Sequence, residues 1–235
     1  MVFTLSSGER VPAVSTAQMR EVDRSMPEDF GIDLTQMMEN AGRNLADLGQ
    51  ALVTPQTVIV LAGPGGNGGG GLAAARHLHN RGDTVSVVLA GGPLAPVTAQ
   101  QASIVTRMGI LIRQDPAPAD LVIDALIGYG LHGNPQGRIA ELIGWAGTGQ
   151  GPVLALDGPS GLDLDTGRQG TPCVHADATM TLALPKTGLA GSPMTGRLYL
   201  ADISVPPLLY QRMGLEVPAL FRGGPVVELK TGQTR

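Results

Sequence analysis

"TVIVLAGPGGNGGGGLAAARHLHN", residues 57–80, is the stretch whose reading decides the fold. Thr57 to Ala62 form a short apolar run rich in β-branched residues, the pattern of a strand buried on both faces. Gly63 to Gly71 then carry almost no side chains, and Asn67 alone among them can coordinate anything. The following residues are good helix formers and run to Gly82, so a helix is expected to begin near Gly71. A strand, a glycine-rich turn and a helix are the parts of an anion site, because free amides and the positive end of the helix dipole face one concavity.

Gly63, Gly65 and Gly68 match G-x-G-x-x-G, a weak match in a chain with 34 glycines. A dinucleotide site of the usual kind needs an acid at the end of the second strand, which here ends VVLAGG, with Asp83 at the opposite end. No Lys-Ser or Lys-Thr pair follows the glycines, so a Walker loop is excluded as well. The backbone points to a phosphate-bearing ligand, and the details disfavour an ordinary NAD-linked dehydrogenase. A glycine turn that only permits close helix-to-strand packing is the alternative.

Outward from this unit the pattern repeats. Apolar runs at residues 84–90, 110–112, 121–127 and 153–156 read as strands, and helical segments end at Gly82, Gly109 and near Gly147. The alternation implies an α/β fold, a mostly parallel sheet with helices on both faces joined by right-handed crossovers. ATMTLAL (178–184) and RLYLADI (197–203) would extend that sheet. Upstream, Ser15 with Gln18 and Asp33 with Gln36 stand at capping-box spacing before two helices. Leu34, Met37, Met38, Ala41, Leu45 and Leu48 share one face of the second, and its methionines read as core filler. The expectation is a single domain over 1–235, with a core at 14–206 and a surface tail at 219–235 that shows no clear period.

Composition removes several classes. With 43% apolar and 15% charged residues the chain is globular, and 3% aromatics supply no base-stacking platform. A net charge of −4 without a basic cluster argues against a nucleic-acid partner. The single Cys173 excludes an internal disulfide and a multi-cysteine zinc site. No run approaches membrane-spanning length and the N-terminus lacks a targeting pattern, so no membrane partner and a cytoplasmic location are expected.

Asp124 ends LVID and Asp157 ends VLALD, with Ser160 three residues on. In a doubly wound sheet the first and fourth strands are neighbours at the switch point, and ligands bind beyond the carboxyl ends there. Asn67, Asp124, Asp157 and Ser160 are therefore expected to converge. A lone Asp at a strand end is commonly a turn or helix cap, but two beside the glycine loop point to a site.

STAQMREVD, MMENAGRNLA, GPGGNGGGGLAAARHL, DLVIDALIGYGLHG, LDGPSGLDLDTG, ADATMTLALPKTGL and GRLYLADISVP follow one another in the order and spacing of the NAD(P)H-hydrate epimerase family, also called the YjeF N-terminal domain family. The chain resembles that family from about Val14 to Pro206. The resemblance implies a Rossmann-like three-layer αβα sandwich, a homodimer, and interconversion of the R and S forms of hydrated NADH or NADPH, which carry a hydroxyl at C6 of the nicotinamide ring. The S form would then pass to a separate ATP- or ADP-dependent dehydratase. It implies a potassium ion bound by Asn67, Asp124 and Ser160. It also implies ligand contacts from Gly66, Asn67, Gly68, Gly69 and Gly70, and from Gly128, Tyr129, Gly130, Leu131, His132, Gly133 and Asn134. Asp157 would stand beside the reacting ring as catalytic acid or base, while His132, inside the second ligand loop, reads either as a proton carrier or as an ordinary exposed loop histidine.

These roles suit the residue types. Potassium prefers neutral oxygens with at most a small carboxylate charge, and inversion at C6 requires proton movement that an aspartate can supply. Lys186, in LPKTG, matches a family lysine and reads either as an assistant or as a solvated surface group. The chain departs from the family's usual GPGNNGGDG at Gly66 and Gly70, which remove two polar groups, and at Gly158 beside Asp157, where a larger pocket is expected. A weakened epimerase is the first reading. A non-catalytic nucleotide-binding or dimerising scaffold of the same fold is the alternative.

Overall fold

The computed structural model describes residues 2–131 and 133–232. Its strands are β1 (Val2–Thr4), β2 (Arg10–Val11), β3 (Thr57–Ala62), β4 (Thr84–Leu89), β5 (Leu111–Arg113), β6 (Leu121–Ala125), β7 (Val153–Leu156), β8 (Ala178–Leu182), β9 (Arg197–Ala201) and β10 (Val226–Gly232). The helices are α1 (Thr16–Phe30), α2 (Leu34–Val53), α3 (Gly66–Asn80), α4 (Pro96–Arg107), α5 (Gly137–Ala146) and α6 (Pro207–Arg212). One sheet holds all the strands in the order β2-β1-β10-β9-β8-β7-β6-β3-β4-β5.

From β5 to β9 neighbouring strands pair in parallel, and β10, β1 and β2 close the other edge antiparallel. The expected α/β class and mostly parallel sheet are therefore present. β3 lies between β4 and β6, so the first and fourth strands of the parallel unit are neighbours, with Leu61 opposite Asp124 and Asp124 opposite Ala155. The residues of β6 and β7 are all buried, as strands covered on both faces must be.

The first two helices start where their caps place them. Ser15 Oγ accepts from Gln18 N while Gln18 Oε1 accepts from Ser15 N, and Gln36 Oε1 accepts from Asp33 N at 2.7 Å. Asp165 adds an anchor, taking hydrogen bonds from Thr16 N and Thr16 Oγ1, both at 2.6 Å. A carboxylate at the first turn of α1 also meets the positive end of its dipole.

Two expectations about boundaries need correction. Residues 219–235 are not only a surface tail, because β10 lies between β9 and β1 inside the sheet. Its Val227 and Leu229 alternate with the exposed Glu228 and Lys230, a period of two. Helix α3 begins at Gly66 rather than near Gly71, so most of the glycine run is helical.

That run divides by what surrounds it. A Cβ on Gly63 would lie 1.9 Å from Leu126 O, and one on Gly68 would lie 1.9 Å from Gly63 O. Gly71 and Gly42 let α3 approach Ala125 on the sheet and let α2 approach Ala73 on α3, with Cβ clashes of 2.5 and 2.4 Å otherwise. Close packing thus explains the buried glycines, whereas Gly65 and Gly66 have open space where a Cβ would be.

Candidate functional site

The carboxyl ends of β3, β6, β7 and β8 open into one cavity of about 550 Å³, a size suited to a small-molecule ligand. Its wall is mostly apolar, with polar side chains at Asp23, Asn67, Tyr129, Asn134, Gln136, Asp157 and Lys186. Met19, Met37 and Met38 are buried as core residues and also line this wall, so the reading of Met37 and Met38 as filler alone was incomplete.

Asp157 terminates β7 with φ +67°, a left-handed conformation that costs a non-glycine residue about 1–2 kcal/mol. The surroundings hold it there. Its amide donates to Met180 O at 2.7 Å, and its Oδ2 accepts from Tyr129 N at 3.2 Å. Lys186 Nζ donates to Asp157 Oδ1 and also to Leu182 O at 2.9 Å and Thr181 Oγ1 at 3.3 Å. The Lys186 side chain is 0% exposed, which rules out the solvated surface lysine. Backbone pairing positions it: Val14 N donates to Pro185 O and Thr187 N to Val14 O, so the residues before α1 carry the lysine's turn.

Asn67, on the first turn of α3, donates from Nδ2 to Leu156 O at 3.2 Å, which orients its Oδ1. A Cβ on Gly128 would lie 3.2 Å from that Oδ1 and 2.8 Å from Asp157 Oδ2. Gly128 is thus a close-approach glycine between two polar groups.

Asp124 and Ser160 meet each other, and neither lines the cavity. Asp124 Oδ1 accepts from Ser160 Oγ at 2.6 Å and from Leu126 N at 3.3 Å, and Oδ2 accepts from Ser160 N at 2.8 Å. Ser160 Oγ accepts in turn from Ile127 N at 2.9 Å. Burial pushes the Asp124 carboxyl up to about 6, against the opposing hydrogen bonds from Ser160 and Leu126, and no cationic side chain contributes. Asp124 is thus a wholly buried carboxyl met by the Ser160 and Leu126 donors, without a cationic partner among the described residues.

Of the expected ligand contacts, Gly66, Asn67, Gly70, Gly128, Tyr129, Gly130, Leu131, Asn134 and Asp157 line the cavity, whereas Gly68, Gly69 and Gly133 do not. Gly68 is held against Gly63 O, and Gly69 against Met38, where its Cβ would come within 2.5 Å of the thioether. His132 lies outside the described residues. Asn134 Oδ1 accepts from Thr171 N at 3.1 Å, a tie that fixes the second loop. Gly158 does not widen the cavity, because a Cβ there would strike Leu164 Cδ2 at 2.5 Å and that leucine fills the space.

Asp23 escaped the sequence reading, since an aspartate between Val22 and Arg24 on a helix looks solvated. Its Oδ2 accepts from Tyr129 Oη. The Arg20 guanidinium lies 5.9 Å from the centroid of the same tyrosine ring. The usable signal was the turn spacing of Met19, Val22 and Met26, which places Asp23 beside a buried stripe.

Among known proteins, the family model described as "YjeF-related protein N-terminus" matches residues 34–188. A protein of Dehalogenimonas lykanthroporepellens named NAD(P)H-hydrate epimerase is 44% identical, with 91% of each chain covered. One of the same name from Rhodopirellula baltica is 35% identical over 84% of this chain and 86% of its own. A bifunctional NAD(P)H-hydrate repair enzyme Nnr of Hyperthermus butylicus is 39% identical over 83% of this chain, which spans 39% of that longer protein. The crystal structure of yeast YNL200c superposes with a TM-score of 0.80 over 93% of this chain and 100% of its own, at 22% identity, a likeness of fold.

Proposed function

The chain belongs to the YjeF-related protein N-terminus family, and on that premise we infer that it is an NAD(P)H-hydrate epimerase. The observation that carries this reading is the position of Asp157. It stands at the rim of the cavity, bonded to a buried lysine and to the loop that follows β6.

Inverting C6 of a hydrated nicotinamide requires one proton to be taken from an oxygen and one to be delivered at the atom that leaves C6, whether N1 or the hydroxyl. Asp157 would exchange the hydroxyl proton. Lys186 fixes its orientation, and the water-poor setting strengthens their attraction. The apolar wall from α2 would shelter the ring, and the first turn of α3 offers amides that lack partners within the helix to the phosphates.

Asn67, Asp124 and Ser160 would hold a potassium ion, which would offset the buried Asp124 charge and brace the three loops that carry these residues. The S form would pass to an ATP- or ADP-dependent dehydratase, and the protein would act as a homodimer. Light scattering on the eluting peak of a sizing column tests the dimer.

The function is tested with R-enriched hydrated NADH, following R-to-S exchange by chromatography in potassium and in lithium buffers. Exchange well above the spontaneous rate, faster in potassium, supports the reading. An unaccelerated rate refutes the epimerase and leaves a scaffold of the same fold. Acceleration that is equal in both salts refutes the cation's role alone.

A further inference from the structure

Asp23 lines the cavity that Asp157 and Lys186 line, from the other side of the tyrosine that joins them. Tyr129 donates its hydroxyl to Asp23 Oδ2 and its backbone amide to Asp157 Oδ2, the latter at 3.2 Å. One residue of the second loop therefore fixes both carboxyls. Asp23 Oδ1 has no hydrogen-bond partner among the described residues. No fully enclosed side-chain oxygen among them lacks a partner, so Oδ1 is accessible, on a residue that lines the cavity.

The helix that carries Asp23 is held rigidly. Its cap, the two Asp165 bonds to Thr16 and the buried Met19, Val22 and Met26 fix α1 against the loop after β7. A carboxyl on such an element, with one oxygen tethered and the other free, is built as a preorganised site group is.

We propose that Asp23 is a second catalytic residue, the group that delivers and recovers the proton at the ring atom leaving C6 while Asp157 handles the hydroxyl proton. The proposal rests on the epimerase reading. Written for ring opening, Asp157 takes the hydroxyl proton and the oxygen pair closes the C6 carbonyl. The C6–N1 bond breaks, and its electron pair on N1 receives the proton of Asp23. Rotation about C5–C6 turns the other carbonyl face to N1, which attacks it. The N1 proton returns to Asp23 and the alkoxide regains its proton from Asp157, so atoms and charge balance over the cycle.

The surroundings favour an acid at this position. Burial raises the Asp23 carboxyl from its ordinary value of 3.8; the Tyr129 hydrogen bond and the Lys186 charge lower it, and the Asp157 charge raises it. Arg20 lies over the Tyr129 ring, its guanidinium 5.9 Å from the centroid.

The test compares wild type, Asp23→Asn, Tyr129→Phe and Asp157→Asn in saturating R-to-S exchange across pH, with thermal melts alongside. Asp23→Asn keeps an acceptor for Tyr129 and removes the acid. Its kcat is expected to fall by about 100-fold or more with KM changed by less than about threefold, and the alkaline limb of the profile should vanish. Tyr129→Phe keeps the carboxyl and should retain that limb, with a loss of about tenfold. Should Asp23→Asn fail to fold, Asp23→Glu serves instead: a shifted alkaline limb supports the proposal and an unchanged profile overturns it. An Asp23→Asn enzyme within about threefold of wild type, or one impaired only in KM, sinks this proposal but not the epimerase. A wild type without exchange sinks both.

Discussion

Lys186 Nζ is bonded to Asp157 Oδ1 in a pair whose side chains are 0% and 5% exposed. A lysine buried this completely needs every donor satisfied, and Leu182 O and Thr181 Oγ1 take the others. Removing one partner leaves an uncompensated charge behind.

Lys186→Met is therefore expected to destabilise the fold by about 3–5 kcal/mol, and Asp157→Asn alone by a similar order. The double variant should recover much of that loss, since no buried charge remains. Urea melts of the three variants check the ordering, and a double variant as unstable as the sum of the singles would contradict it.

Gly128→Ala should separate activity from stability. Its Cβ would sit 2.8 Å from Asp157 Oδ2 and 3.2 Å from Asn67 Oδ1, in a place where backbone φ is not strained. Exchange is expected to drop by about tenfold or more as Asp157 is displaced, since small misplacements of reacting groups are expensive. A melt within a few degrees of wild type should accompany it.

The glycines that depart from the family's usual loop are not equivalent. Gly66 has open space at its Cβ, and Gly66→Asn should be tolerated, with a stability change within about 1 kcal/mol. Gly70 faces Leu156, whose Cδ2 would lie 2.8 Å from an added Cβ. Gly70→Asp, which restores a polar group of the family's usual loop, should destabilise by about 1–3 kcal/mol. Thermal melts and titration with NADPH check both.

Acid stability should reveal the loop that anchors α1. Asp163 is held below its ordinary value of 3.8, first by the Thr166 backbone amide, then against burial by the Asp165 amide. A depressed folded value contributes stability above the unfolded value and loses it as pH falls through the folded one. The stability advantage of wild type over Asp163→Asn is expected to be constant above about pH 5 and to shrink below about pH 4. An advantage that grows on acidification would contradict this origin.

Much of this architecture was legible because its elements are periodic. The runs at β3 and β7 match the observed strands residue for residue, and the Ser15–Gln18 spacing marks the start of α1. The short strands β1 and β2 were not, because two or three residues carry no period, and β1 finds its partner in the distant β10 while β2 pairs with β1. In the site, Asp124, Asp157 and Ser160 were legible as polar residues ending apolar strands. Asp23 was not, and Lys186 was legible only as one of two readings, since helical surface and loop residues of those types are ordinarily solvated, and only packing from α1 and the β8 turn makes them internal.

The central claim is that Asp157, held by Lys186, moves a proton during inversion at C6. R-to-S exchange of hydrated NADH by Asp157→Asn measures it most directly. The account predicts a kcat at least about 100-fold below wild type with the fold retained at assay temperature. An Asp157→Asn protein that exchanges as fast as wild type would contradict it.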